Sequence, residues 1–438
     1  VVKKRNSNEQ FVRDVALMHD SPLGTPVPTS NVYPLPVTHN DTQLDAFSRL
    51  RVSDPTTLFG SSSQYDDGTR DKWYHKTTGT GATSFSSNEA CINISVSANN
   101  DEVIRQTQRY IRYQPGKSQL IFITFSFRSV DSGTIKEVGY GDDDNGVFFR
   151  YYGDTGLASI ILRSNRTGTP VDREVFSQDW NVDPFDGTGP SGVTFDPTKS
   201  QIMVVDLQWL GVGRVRVGAD IDGKLYYAHH FENANVLPGV YMSTADLPVR
   251  YRIVSTGGSG SMDCICASVS SEGGFVADLG HEHVTPNGIP GKSCPVTVET
   301  PVISIRPKAL FNSITNRGEY VPEQISFYIT GNAVLLRMYL GSTLTGASWA
   351  SSDTESGIEY DASATSFTGG HLTNSEFGAA ASGGKAFSTV GKAAASSRIF
   401  LTLDIDGNNV DSSNFTVVGT GIGGTAVVYC NLHWTEIK

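Results

Sequence analysis

The chain has 438 residues, 38% hydrophobic and 18% charged, enough to bury separate cores in two or three domains. Its net charge of −11, from 34 Lys+Arg and 45 Asp+Glu, argues against sequence-independent nucleic-acid binding, which needs a dense cationic surface to displace counterions. No apolar run approaches the ~20 residues of a membrane helix, so neither nucleic acid nor membrane is an expected partner.

Glycine is enriched, at 45 of 438 residues against a usual ~7%, and no long Leu/Ala/Glu/Lys stretch is present. Both features point to many short strands joined by tight turns. The five cysteines are odd in number and widely scattered, unlike a secreted disulfide framework. Cys264 and Cys266 fall on one face of a predicted strand, badly placed to bridge each other. They read as small buried hydrophobes of a protein assembled in a reducing cytoplasm. The chain begins at Val1 without an initiator Met or a charged-then-apolar leader, so the expectation is a terminus that lies upstream or has been processed.

Residues 1–44 are expected to be an extended N-terminal arm. Lys3, Lys4 and Arg5 are balanced by Glu9, Asp14 and Asp20, and residues 21–36 are rich in Pro, Ser and Thr. Proline fixes φ and removes a donor, so such a stretch stays extended. Residues 42–62 then read TQLDAFSRLRVSDPTTLFGSS. Leu44, Phe47, Leu50, Val52, Leu58 and Phe59 are interleaved there with Asp45, Arg49, Arg51 and Asp54, and Asp54-Pro55 is a turn signal. The reading is an irregular clasp whose aromatics plug a domain edge.

Strands follow at 103–113, 120–127, 147–152 and 157–163, then at 249–254 and 262–269. Residues 200–231 carry the plainest pattern. Met203, Val205, Leu207 and Trp209 recur every second residue, as do Val215, Val217 and Ala219, the period of a half-buried strand. Asp222-Gly223 is a two-residue hairpin signal. It pairs Ile221 with Lys224, Ala219 with Tyr226, Val217 with Ala228 and Val215 with His230. Arg214 and Arg216 fall on the polar face of this ribbon, while His229 and His230 point to opposite faces and cannot share an ion. Many short strands with no helix pattern between them predict a β-sandwich or barrel. The long meander suggests a jelly roll of the concanavalin-like lectin and laminin-G type, spanning 45–280.

Residues 281–300, rich in Gly, Pro and Asn, read as a linker, and 301–438 as a second β-sandwich domain. Its strands are expected at 302–306, 324–329, 333–339, 399–405, 415–418 and 426–432. Gly419, Gly421 and Gly424 formally match G-x-G-x-x-G, but a strand follows instead of the helix that dinucleotide binding requires, so they read as a hairpin loop. Residues 342–397, dominated by Gly, Ala, Ser and Thr, read as a protruding surface or weak edge strands. The fold class is all-β: two β-sandwich (jelly-roll type) domains preceded by an extended N-terminal arm.

Three groups are candidates for chemistry. Asp142, Asp143 and Asp144 supply hard oxygen ligands suited to calcium, the one cofactor suggested. EF-hand spacing fails, with Gly141 and Tyr152 at its first and twelfth positions, and a solvated acidic turn is the competing reading. His281 and His283 share a strand face but lack a third ligand. Glycoside hydrolysis needs two carboxylates across a sugar-binding face. The Glu-x-Asp-x-x-Glu strand of glucanases with a lectin-like fold is absent, and Glu137, Asp206 and Glu174 read as isolated surface acids. Trp180 and Trp349 are the candidate glycan-stacking residues; Trp209 continues a core face.

The segment DAFSRLRVSDPTTLFGS is followed by Arg112-Tyr-Gln-Pro-Gly-Lys-Ser118, Asp143-Asp-Asn-Gly-Val-Phe-Phe149 and Trp209-Leu-Gly-Val-Gly-Arg-Val-Arg-Val-Gly218. Leu247-Pro-Val-Arg-Tyr-Arg252 and Cys264-Ile-Cys-Ala-Ser-Val-Ser270 complete the set. Together these resemble a family of structural proteins of tailed bacteriophages, notably cyanophage-like ones, over roughly residues 45–274. Ser48 stands where the family usually has Gly, and Gly60 where Asp is frequent. The resemblance implies a virion component (capsid- or tail-associated, of fibre, baseplate or decoration type) that acts by assembly and surface display and is not an enzyme. Asp45, Phe47, Arg49, Leu50, Arg51 and Phe59 are then the anchoring residues. Implied partners are other virion proteins, further copies of the chain and a host-surface glycan; the implied location is the virion, assembled in the host cytoplasm. The alternative is a glycan-binding host-adsorption module, and after it a polysaccharide depolymerase.

Overall fold

The computed structural model describes residues 43–52, 54–274, 280–286, 289–388 (385–388 as backbone only), 399–410 and 413–438, and the backbone of four short strands before them. The chain divides into two compact units, Val1–Arg51 and Val52–Lys438. In the first, Lys3–Arg5 pairs with Phe11–Arg13 and Met18–Asp20 with Pro26–Pro28, both antiparallel. The rest of the expected arm, including most of its Pro-rich stretch, lies outside the described residues.

The second unit begins with a β-sandwich of two antiparallel sheets. One sheet runs, in hydrogen-bonded order, Lys224–Phe231, Val215–Ile221, Ser200–Leu207, Ser118–Ser126, Gly260–Glu272, Cys91–Val96, Ala82–Ser86, with Thr56–Ser62 also on Gly260–Glu272. The other runs Val171–Phe176, Leu157–Ser164, Gly146–Tyr152, Thr134–Gly141, Val249–Ser255, Glu102–Thr107, Trp73–Thr78. Alternation decides what lies between them. Ile121, Ile123 and Phe125 with Met203, Val205 and Leu207 face Val147, Phe149 and Tyr151 with Val249, Tyr251 and Ile253 in one core. Each such side chain contributes about 1.5–3 kcal/mol on burial.

The ribbon around Asp222-Gly223 forms as expected at its turn, with Ile221 opposite Lys224 and Ala219 opposite Tyr226. Beyond it the register slips by one residue: Val217 pairs with His229 and Val215 with Phe231, not with Ala228 and His230. The cause is a bulge that leaves Ala228 unpaired opposite Val217 and Gly218; the strands come so close there that a Cβ on Gly218 would stand 1.9 Å from the Tyr226 carbonyl oxygen. Arg216 is not on a solvated face. It is fully buried, ion-paired with Asp206, which is equally buried and accepts the Tyr227 hydroxyl at 2.9 Å. The expected strand 103–113 ends at Thr107.

The second sandwich has its own core, built around Ile303, Tyr320, Leu336, Val417, Leu432 and Trp434. Two pairs of expected strands are each one continuous strand, Glu319–Thr345 and Phe415–Ile437, running antiparallel against each other. Their shared register shifts where Gly331 (φ 82°) meets the segment holding Gly423 (φ 76°). The expected Gly419–Gly424 hairpin is therefore a bulged corner inside a strand, where left-handed φ is cheap for glycine. One half of this long pair is flanked by Thr300–Pro307 and Ser366–Gly378, the other by His281–Val284, Lys292–Cys294 and Gly383–Ser388. A strand pair that turns a corner lets one ribbon serve both layers. Two boundaries change as a result. Residues 281–300 are not a free linker, because two of their segments pair with the final strand. The stretch 342–397 contains edge strands, while 399–405 holds only an isolated bridge from Leu401 to Tyr320.

Candidate functional site

A cleft of about 780 Å³ lies between the two sandwiches. Its floor on the first sandwich is the turn joining Thr134–Gly141 to Gly146–Tyr152. Asp142 organises that turn: its Oδ1 accepts the Asp144 and Asn145 N–H groups at 2.9 Å each, and its Oδ2 accepts the Tyr110 hydroxyl at 3.0 Å. Asn145, nearly fully buried, ties the turn to Ser243 through its side-chain amide (2.9 Å) and carbonyl (3.0 Å). Beside it, Arg250 donates Nε to Gln106 at 2.8 Å and Nη1 to Asp143 at 2.5 Å. From the second sandwich, Arg317 caps the Asp404 and Ile405 carbonyls (2.6 and 2.8 Å) and lies 4.4 Å over the Tyr110 ring. Two ion pairs, Arg109–Glu319 at 2.6 Å and Lys76–Asp406 at 2.5 Å, hold the sandwiches together beside the cleft.

The carboxyls of this wall are not equivalent. Burial pushes Asp246 up to about 6, helped by repulsion from Glu319 and opposed by the Tyr113 N–H at 2.7 Å. Asp144 is also raised, by burial and then by the charges of Asp142 and Asp143. Burial acts on Asp143 in the same direction, but Arg250 outweighs it and holds that carboxyl below its usual range. The three aspartates proposed for calcium thus face different partners. Among the described residues no group of three or more His, Cys, Asp or Glu side chains is placed to hold a metal ion. His283 stacks on Trp434 with centroids 5.9 Å apart, its Nδ1 3.4 Å from Asp353.

The other sequence candidates are dispersed. Trp180 is not an exposed platform: it is 7% exposed, packed against Phe149 and Phe185, with its Nε1–H on the Val175 carbonyl at 3.0 Å. Trp349 is half-buried, one face covered by the Arg306 guanidinium at 4.1 Å. Phe59 is a core residue stacked edge-on against Trp73. In the N-terminal unit, Asp45 accepts the Phe47 and Arg49 N–H groups at 2.9 Å each and pairs with the Arg49 guanidinium at 2.7 Å. Arg49 in turn covers Phe47, Arg51 N–H reaches the Gln43 carbonyl, and Leu50 is 44% exposed.

Glu137 and Glu174 are not isolated either. Arg150, on the neighbouring strand, gives Glu137 Oε2 two bonds at 2.9 and 2.7 Å and stands 3.8 Å from Glu174, which also receives the Tyr152 and Ser159 hydroxyls. The sequence reading gave no site role to Asp246, Asn165 or Arg250, the last of which stands in the Leu247–Arg252 motif. A signal for Arg250 existed: in the strand Val249–Ser255 it alternates with three core residues and so had to leave the core face.

No family model and no curated protein matches this chain. Solved structures that it resembles are a glycoside hydrolase family protein from Mycobacterium thermorestibile, a β-1,3-glucanase from Mycobacterium marinum and a family 16 endo-glucanase from Bacteroides ovatus. Their identities are 12%, 11% and 8%; the matches cover 48%, 50% and 48% of this chain and 99%, 100% and 99% of theirs, with TM-scores of 0.33, 0.34 and 0.33. These neighbours are enzymes by title, so the expectation that the chain is not an enzyme finds no support among them. At such identities and TM-scores no reaction or substrate passes from them to this chain.

Proposed function

We propose that the chain is a structural component of a tailed-phage virion, capsid- or tail-associated, which assembles through its N-terminal unit and displays the two-sandwich body. The observation that carries this reading is the form of the motif segment. Asp45 accepts the Phe47 and Arg49 N–H groups and so closes the segment into a turn, which orders the backbone around Phe47, Arg49 and Leu50. A pre-organised turn with an exposed apolar tip loses little entropy on docking. The chain's division into units falls at Arg51, directly after this turn. Ser48 occupies the left-handed region at φ 61°, where the resembled family's glycine is unstrained. Phe59, in the sandwich core, drops out of the anchoring set. The partners on this reading are other virion proteins and further copies of the chain.

Two variants test it in a complementation assay for incorporation into particles: deletion of residues 1–40, and Leu50→Asp. Both are expected to keep the wild-type circular dichroism and melting profile of the body while failing to enter particles. Normal incorporation of both variants overturns the reading.

A further inference from the structure

We infer that the cleft between the two sandwiches binds a neutral, polyhydroxylated ligand, such as a segment of a saccharide chain. Two groups in its wall lack partners. Arg250 is 1% exposed; its Nε and Nη1 are engaged by Gln106 and Asp143, but its buried Nη2 donates to nothing. Asn165 also lines the cleft, and its buried Oδ1 accepts nothing. Native proteins rarely leave such groups unmade, because they lose water on burial and gain nothing in return. One group needs an acceptor and the other a donor. A hydroxyl is both.

Charge narrows the class. Asp142, Asp143, Asp144, Asp246 and Asp406 oppose Arg250, Arg317 and Lys438 in the lining, five formal negative charges against three positive. A net-negative wall repels phosphates, uronates and sialates and tolerates neutral sugars. The second sandwich adds Ile314, 70% exposed, apolar surface suited to the C–H face of a pyranose ring, beside Phe311, whose ring carries the Lys438 ammonium at 4.1 Å. A volume of about 780 Å³ falls within the ~300–1,000 Å³ usual for small-ligand sites. The inference does not depend on the virion reading, because a virion protein and a free one offer the same cleft.

The test is binding of the full chain to an array of neutral oligosaccharides (maltoheptaose, laminarihexaose, mannohexaose and neutral bacterial O-antigen fragments) beside oligogalacturonates and polysialic acid. Two variants accompany it: Asn165→Ala, which removes the free acceptor, and Ile314→Asp, an exposed change that leaves the fold alone. Expected is binding to at least one neutral glycan, weakened about tenfold by each variant with the melting temperature unchanged. No binding to any neutral glycan overturns the inference, as does preference for the acidic glycans or wild-type affinity in both variants.

Discussion

Replacing Arg150 by Met isolates the charge ladder on the outer face of the seven-stranded sheet. Arg150 is 12% exposed at its side chain and Glu137 is 1% exposed. Both strong bonds of the pair fall on Glu137 Oε2, while Oε1 has no partner even in the wild type. The cross-strand neighbour Arg252 is engaged by Glu102 at 2.6 Å and is not free to substitute. Removing Arg150 therefore strands a buried carboxylate, and breaking one side of such a pair costs about 3–5 kcal/mol. Glu174 loses a guanidinium at 3.8 Å but keeps its Tyr152 and Ser159 hydroxyls, so most of the loss belongs to Glu137. The double variant Arg150→Met/Glu137→Met removes both charges and is expected to recover stability to within about 1–2 kcal/mol of wild type, because a buried pair and an apolar replacement of similar volume are nearly equivalent. Urea unfolding followed by tryptophan fluorescence, with both single variants and the double, gives the coupling energy directly. A single-variant cost under about 1 kcal/mol refutes the reasoning, since that is the range of an exposed pair. So does a double variant no more stable than Arg150→Met.

Two further outcomes follow from the described geometry. Asp246 is held up at about 6 by burial, so its ionisation opposes folding: the penalty is absent below the unfolded-state value near 4, grows as pH rises towards 6 and is complete above it. Asp246→Asn, which keeps the acceptor for the Tyr113 N–H, is expected to be more stable than wild type by up to ~3 kcal/mol at pH 7.5 and equal to it at pH 4; urea midpoints that differ equally at both pH values contradict this. Trp180→Ala is expected to cost about 3–5 kcal/mol through the cavity it leaves, with the chain's glycan-array profile unchanged under conditions where it is folded; selective loss of glycan binding at unchanged stability would restore Trp180 as a ligand platform.

The all-β class was legible because period-two alternation survives in nearly every strand of the first sandwich, and Asp222-Gly223 announced its hairpin. Register was less so. The slip at Gly218 depends on a backbone approach to Tyr226 that no side-chain pattern records. The second sandwich was cut into too many strands for a related reason. Glycine inside a strand pattern signals either a turn or a bulge, and at Gly331 and Gly419–Gly424 the tertiary pairing chose the bulge. Charged residues misled in one direction: Asp206, Arg216, Glu137 and Glu174 read as surface groups because each looks isolated in sequence. Their partners stand one or two strands away in the sheet, ten or more positions away in the chain.

The cleft was hidden by the same arithmetic on a larger scale. Its wall is drawn from the 142–145 turn, Asn165, residues 243–250, the 311–318 segment and the last residue of the chain. Of these only the acidic turn has a binding role in the sequence reading, as a calcium site; Arg250 lies in the Leu247–Arg252 motif, which carries a resemblance and no site. In the structure that turn spends its charge internally, on backbone amides, a tyrosine hydroxyl and Arg250. The groups left over for a ligand are the unremarked ones, a strand arginine with one unused nitrogen and an asparagine carbonyl. Residues that already satisfy one another make the wall rigid; a ligand is read by what they leave unsatisfied. On that reasoning the specificity of the cleft rests on Arg250 and Asn165, and the aspartates fix only which charges are kept out.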